Sequence, residues 1–310
     1  MAKNSRQMNG KSNLGLIVGF VLLWNSGFIG AEYGLPYTGP FTLLFYRYIA
    51  LASLLCIYLL LAKQLQWTGW KNVWPQLLNG ALAHGVWLGC VLIAIDYGVP
   101  AGIVALVVAL QPLATGALSG LVTGESTPWN RWLGLFIGFA GVAIPVLFRV
   151  DFDNAEEVFA WLIPLGSVVA ITIATLFQRR LNLEKDYEPM HGGLSLFYQS
   201  IATVFAVALP AIFLERLEVQ WNLAFILSMS WLIMAVSLGA YSLMWVLIHR
   251  IDATRVAALF YLGPPVTMVM AWIAFGDEVE AVDLIGLSLV MLGVILTYMK
   301  YPFRRRQTTD

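Results

Sequence analysis

Ten apolar stretches, separated by short polar or turn-forming segments, set the pattern of this chain: 14–31, 40–61, 74–95, 100–123, 128–148, 158–178, 190–214, 223–248, 256–275 and 281–298. Each approximates the roughly 20 residues that a helix rising about 1.5 Å per residue needs to cross a hydrocarbon core. The pattern predicts an all-α integral membrane protein of ten transmembrane helices. It also predicts turns with their own chemistry: Thr127 is placed to cap the fifth helix with Pro128 at its first position, and Glu125 and Glu278 lie where a negative charge meets the positive end of the following helix.

The pattern occurs twice. Gln111-Pro112, Gly124-Glu125, Gly134 and Gly141 return as Pro264-Pro265, Asp277-Glu278, Gly286 and Gly293, with Pro112 and Pro265 153 residues apart and Gly141 and Gly293 152 apart. Leu44-Phe45-Tyr46-Arg47 is echoed at 152 residues by Leu196-Phe197-Tyr198-Gln199. Self-similarity at half the chain length marks a duplication. The first apolar run has the basic flank of a secretory signal, but the duplication requires it as the partner of the run that begins at Val158. The expected organisation is a disordered cytoplasmic lead (1–13), a first repeat of five helices (14–148), an external linker (149–157), a second repeat (158–299) and a basic cytoplasmic tail (300–310).

Orientation follows from the cations, which are retained on the cytoplasmic side. With the N-terminus inside, fifteen of the eighteen Lys and Arg residues fall on cytoplasmic segments, Arg149 and Arg216 fall outside, and Arg47 alone lies within a helix. Both termini are then cytoplasmic. Five helices per half is an odd number, so the second half enters from the opposite side and the repeat is inverted, with a central cavity expected between the halves near mid-bilayer.

Composition agrees, with 59% hydrophobic and 12% charged residues and a mean hydropathy of +0.76. A net charge of zero and the lack of a basic face argue against a nucleic-acid partner. Cys56 and Cys90 lie inside apolar runs without zinc or redox spacing, and no Walker or dinucleotide motif is present. No cofactor and no metal are expected, and transport, if that is the task, is secondary or facilitated.

Polar groups at depth are expensive in lipid and ask for a reason. Arg47, seven residues into the second helix, either snorkels outward or pairs with Glu32, or clamps a carboxylate with its planar fork. Its repeat counterpart, Gln199, supplies a neutral hydrogen bond. His84 shares a helix face with Gly80 and Trp87. It either bonds a neighbouring helix or carries a proton, since no Asp or Glu lies at mid-depth. Aromatic residues recur at helical spacing: Trp24 and Phe28, Trp87, Tyr241 and Trp245, Phe260 and Tyr261. They are interface anchors or the walls of an apolar site. Pro112, Pro264 and Pro265 break their helices and free backbone carbonyls near mid-membrane.

Trp24-Asn25, the 40–47 stretch, Gln111-Pro112 followed by Gly124-Glu125, Gly134, Gly138 and Gly141, and the echo from Ala253 to Gly293 resemble the EamA family of the drug/metabolite transporter superfamily, near the amino acid exporters of the YddG type. The resemblance implies an inner-membrane carrier, monomeric or weakly dimeric, that exports amino acids or related metabolites, its third, fourth, eighth and ninth helices among those lining a central cavity. With the readings above, the candidate substrate-binding residues are Trp24, Asn25, Arg47, His84, Trp87, Gln111, Gln199, Tyr241, Trp245 and Tyr261. His84 is the proton-coupling candidate and Pro112, Pro264 and Pro265 are the helix breaks. Small multidrug relatives use a first-helix glutamate deep in the membrane; Glu32 here lies at the outer end. The other classes weighed are a facilitative channel or sensor, and a membrane-embedded transferase, which would need paired carboxylates, a Ser/His dyad or a metal cluster that the chain lacks.

Overall fold

The computed structural model describes residues 2–124, 127–184, 187, 189–251, 256 and 258–298. Among the described residues, eight helices are long and apolar enough to cross a membrane: α1 (Asn13–Tyr37), α2 (Pro40–Leu61), α3 (Trp70–Asp96), α4 (Ala101–Leu118), α5 (Trp129–Arg149), α6 (Ala155–Leu181), α7 (Gly192–Phe213) and α8 (Leu223–Ile251). Two shorter apolar helices follow, α9 (Phe260–Phe275) and α10 (Ala281–Thr297). Glu125 and the basic tail lie outside the described residues.

Local chemistry explains most helix limits. Pro40 follows Gly39, whose extended backbone (φ −71°, ψ 159°) delivers the chain into α2 with proline at the first turn, where its missing N–H costs nothing. In α6 the Asn154 side chain accepts from the N–H groups of Glu156 and Glu157, with those two acids in the first turn and Arg179 and Arg180 in the last. Cap and charges all favour the helix macrodipole, which is why α6 starts three residues before the expected Val158. Asn222 caps α8 the same way through Phe225 N–H, at 2.9 Å.

Three local expectations are corrected. The polar lead is helical from Ala2 and continuous with α1, because extending a formed helix adds a hydrogen bond per residue without a new nucleus. Pro128, not Thr127, occupies the cap position of α5, and no side-chain bond from that position caps the helix among the described residues. At the start of α10 the capping acid is Asp283, not Glu278: its carboxylate accepts from Glu280 N–H at 2.9 Å and pairs with Arg149 at 2.6 Å.

The apolar pattern is interrupted where the helices face inward. α3 widens into a π-helix over Ala81–Val86, and α8 does so over Trp231–Ala240. Such widened turns cluster at functional sites. α4 turns at Ala109, between Ala101–Val108 and Leu110–Leu118, because Pro112 has no N–H to offer Val108 C=O. α9 opens on a tight 3-10 turn, Phe260–Leu262, before Pro264 and Pro265 start its α-helical part. That pair begins a helix rather than breaking one midway.

α1 packs inside the bundle against α8 and α9, with Phe20 and Ala31 buried. α2 packs along α7, and α5 along α10. The α5–α10 contact is backbone to backbone. A β-carbon on Gly141 would meet Gly286 C=O, and one on Gly293 would meet Gly134 C=O, so small residues bring the two helices together as in lipid-embedded helix pairs. Both ends of this pair are pinned, by Arg149 on Asp283 and by Asn130 Nδ2 donating to Leu296 C=O at 2.8 Å.

Candidate functional site

A central cavity of about 750 Å³ lies among the helices, within the usual range for small-molecule sites. Its walls come from α1 and from α3 through α10, the third, fourth, eighth and ninth helices among them. One end reaches Ser119, Arg131, Arg179 and Thr297, each within a turn of the end of its helix or immediately beyond it. The other end is aromatic. Trp24 is 5.2 Å from Tyr241 and 5.0 Å from Phe260, ring centre to ring centre, with Phe28 and Trp87 alongside.

Of the residues singled out from sequence, Trp24, Asn25, His84, Trp87, Gln111, Gln199 and Tyr241 line the cavity, together with Pro112 and Pro264. Arg47, Trp245, Tyr261 and Pro265 do not. Trp245 is 40% exposed and lies over Gly192, while Tyr261 is buried in the 3-10 turn and leaves the wall to its neighbour Phe260. Arg47 sits beside the cavity on a small void that it shares with Trp24, Tyr48 and Trp87. Its Nε and Nη2 both donate to Ser237 Oγ, at 3.1 and 2.9 Å, and its guanidinium lies 5.7 Å from the Tyr48 ring. It is 5% exposed, so it neither snorkels nor pairs with Glu32: a hydroxyl on α8 satisfies it within the bundle.

His84 has partners on both ring nitrogens. Gln199 Nε2 donates to Gln76 Oε1 at 2.8 Å and to Ser195 Oγ at 3.0 Å, which turns its amide oxygen toward His84 Nε2, 3.1 Å away. Tyr241 OH lies 3.4 Å from Nδ1. The network therefore assigns a neutral ring carrying its proton on Nε2, with the tyrosine hydroxyl donating to Nδ1. Beyond Gln76 the polar track continues, since Gln76 Nε2 donates to Tyr187 OH at 3.0 Å.

The Arg47–Ser237 and Gln199–His84 contacts form a matched set. Arg47 and Gln199 are 152 positions apart, and His84 and Ser237 are 153 apart, both set in π-helical turns. Each bond links a helix of one half to a helix of the other.

Asn25 is held rather than free, with Nδ2 donating to Val21 C=O at 2.7 Å and Oδ1 accepting from Thr267 Oγ1 at 3.2 Å. Gln111 Nε2 donates to Thr115 and Thr175 hydroxyls, both at 3.3 Å. Trp87 has a buried indole N–H with no acceptor among the described residues. Sequence reasoning missed Thr115, Ser119, Thr175, Arg131 and Arg179 on the wall. Thr115, one turn after Gln111, was within reach of a helical-face argument; the two arginines read only as flanking charges.

The comparisons with known proteins follow the same lines. An uncharacterized transporter of Bacillus subtilis (strain 168), YvbV, is 27% identical over 94% of this chain and 93% of its own. The inner membrane transporter YedA of Escherichia coli (strain K12), also described as uncharacterized, is 23% identical over 93% and 92%. A probable amino-acid metabolite efflux pump of Salmonella typhimurium is 22% identical over 92% and 94%. One solved crystal structure shares the fold, with a TM-score of 0.61 at 18% identity, covering 93% of this chain and 96% of that one. The model of the EamA-like transporter family matches residues 12–147 and again 157–299. The chain therefore belongs to the EamA-like transporter family and is a multi-pass membrane transporter of the drug/metabolite type.

Proposed function

We propose that this protein is a secondary transporter of the inner membrane that exports amino acids or related small metabolites by alternating access, with ten crossings arranged as two inverted halves and both termini in the cytoplasm. The observation that carries the reading is the pair of cross-half bonds, Arg47 to Ser237 and Gln199 to His84, set beside a cavity with one polar and one aromatic end. Two related contacts at equivalent positions are what an inverted repeat needs if its halves are to exchange roles.

In this reading, supported by the cation distribution, the Ser119, Arg131 and Arg179 end faces the cytoplasm. At the opposite end the α1–α2 and α7–α8 connections are joined: Thr38 bridges to Val219, its hydroxyl donates to Glu218 C=O at 2.9 Å, and Gln220 N–H donates to Tyr37 C=O at 2.9 Å. The conformation is then inward-facing, loaded from the cytoplasm and closed outside. The name of the Salmonella relative supports metabolites of the amino acid kind.

The test has two arms. Reporters fused after Asp310 and within 151–157 should read cytoplasmic and external, respectively; the same side for both ends the inverted arrangement. In proteoliposomes, export should show counterflow, a labelled solute accumulating transiently against an unlabelled one. Flux that rises linearly with concentration and shows no counterflow describes a pore.

A further inference from the structure

The cavity wall carries positive charge at its polar end and, among the described residues, no Asp or Glu anywhere. Arg131 is held in place by α4, its Nη1 donating to Ser119 Oγ at 3.0 Å and lying 3.5 Å from Gly116 C=O. Arg179 stands in the last turn of α6. Deeper in, the indole N–H of Trp87, a residue 9% exposed, has no acceptor, and an orphaned buried donor costs free energy until an acceptor arrives. The ring group around Trp24 completes the far end.

We infer that the cavity takes an organic anion with an apolar or aromatic body, and that it prefers a solute of net negative charge over a zwitterion with the same body. The inference rests on the reading of the cavity as the substrate site and narrows it, toward deaminated or N-acylated relatives of amino acids. A carboxylate accepts from guanidinium groups in charge-assisted bonds, and the apolar body fills the aromatic end. An ammonium finds only dipoles. Pro112 leaves Val108 without an N–H partner four residues on, and this carbonyl can solvate a cation, whereas the Phe260 carbonyl accepts the Gly263 N–H. That carbonyl does not change the charge count: among the described residues of the wall, a zwitterion leaves the net charge of the two guanidinium groups as it was, whereas an anion removes one unit of it.

Three solutes that share a phenylethyl body separate the alternatives: 3-phenylpropanoate, phenylalanine and 2-phenylethylamine. Binding to the purified full-length protein should be tighter for 3-phenylpropanoate than for phenylalanine by about tenfold or more, the ratio that 1.4 kcal/mol produces, with the amine weakest. Raising the salt concentration should weaken the acid selectively, because exposed charges are screened. Arg131→Gln and Arg179→Gln should each reduce the acid-to-zwitterion ratio. Arg180→Gln, on the same helix end but off the wall, should leave it unchanged.

Phenylalanine binding as tightly as the acid, a ratio insensitive to both arginines, or no binding by any of the three overturns the inference. Transport is read separately in proteoliposomes. If phenylalanine is carried and the acid is not, the transporter reading stands and the anion preference falls. If the acid binds with the expected ratio yet never crosses the bilayer, the preference stands and the transporter reading falls.

Discussion

The carboxylate of Glu215 occupies the space that a side chain on Gly39 would fill. From there its two oxygens accept from the backbone N–H groups of Phe41 and Thr42, at 3.1 and 2.6 Å. A residue after α7 thus caps the first turn of α2 from 173 positions away in sequence. The bond is charge-assisted and complements the helix dipole, and it joins the α1–α2 and α7–α8 connections. In the proposed alternating-access cycle, outward opening has to break it. Glu215→Gln should therefore speed hydrogen exchange at Phe41 and Thr42 by about tenfold or more, as loss of a charged acceptor worth roughly 1.5–3 kcal/mol implies. Gly39→Val should do the same by displacing the carboxylate. Unchanged exchange in both variants makes the contact incidental.

His84 is the candidate for proton coupling in the proposed transport cycle. Protonating its ring puts hydrogen on both nitrogens, so the Tyr241 hydroxyl has to turn from donor to acceptor, and the cavity wall registers the event. If export is proton-driven, His84→Gln should abolish acceleration by a proton gradient while substrate-for-substrate exchange persists. Equal acceleration of wild type and variant assigns His84 to packing.

Ser237 is the test of Arg47. Ser237→Ala removes the oxygen that both guanidinium nitrogens use and leaves a buried cation short of partners, a loss of about 1–3 kcal/mol. The variant should unfold earlier in a detergent titration, and Arg47→Lys should not restore it, because the ammonium lacks the fork. An Arg47→Ala variant that exports as well as wild type would reduce the residue to an anchor between α2 and α8.

Asp277, in the turn between α9 and α10, has its carboxyl raised above the usual value of 3.8 by burial, with Arg149 pulling the other way. The folded state then holds this proton more tightly than the unfolded chain does. As pH rises from below 4 through the raised value, the unfolded chain releases its proton first, and stability falls across that window. Asp277→Asn should be more stable than wild type at pH 7, with the gap closing toward pH 4. A gap of constant size across this range refutes the assignment.

How much was legible in the sequence depends on whether the signal was local. α2 begins at Pro40 and ends at Leu61 as expected, because glycine, proline and an unbroken apolar run act within a few residues. The repeat signalled that Arg47 and Gln199 correspond. It could not reveal that Arg47 faces Ser237, since that pairing depends on how α2 packs against α8. The π-helical turns at His84 and Ser237 leave no spacing signature. Arg131 and Arg179 were readable as charges but not as parts of a wall, because helix ends become cavity ends only after the bundle closes.

The glycine seam between α5 and α10 has a consequence for biosynthesis. α5 leaves the ribosome well before its mate, from which more than a hundred residues separate it. Until Gly286 and Gly293 arrive, the groove along Gly134 and Gly141 has only lipid or the insertion machinery to cover it, and neither supplies a backbone at that distance. Chains truncated before 281 should therefore insert most of their helices yet fail quality control, whereas co-expressed α10 should rescue them in trans.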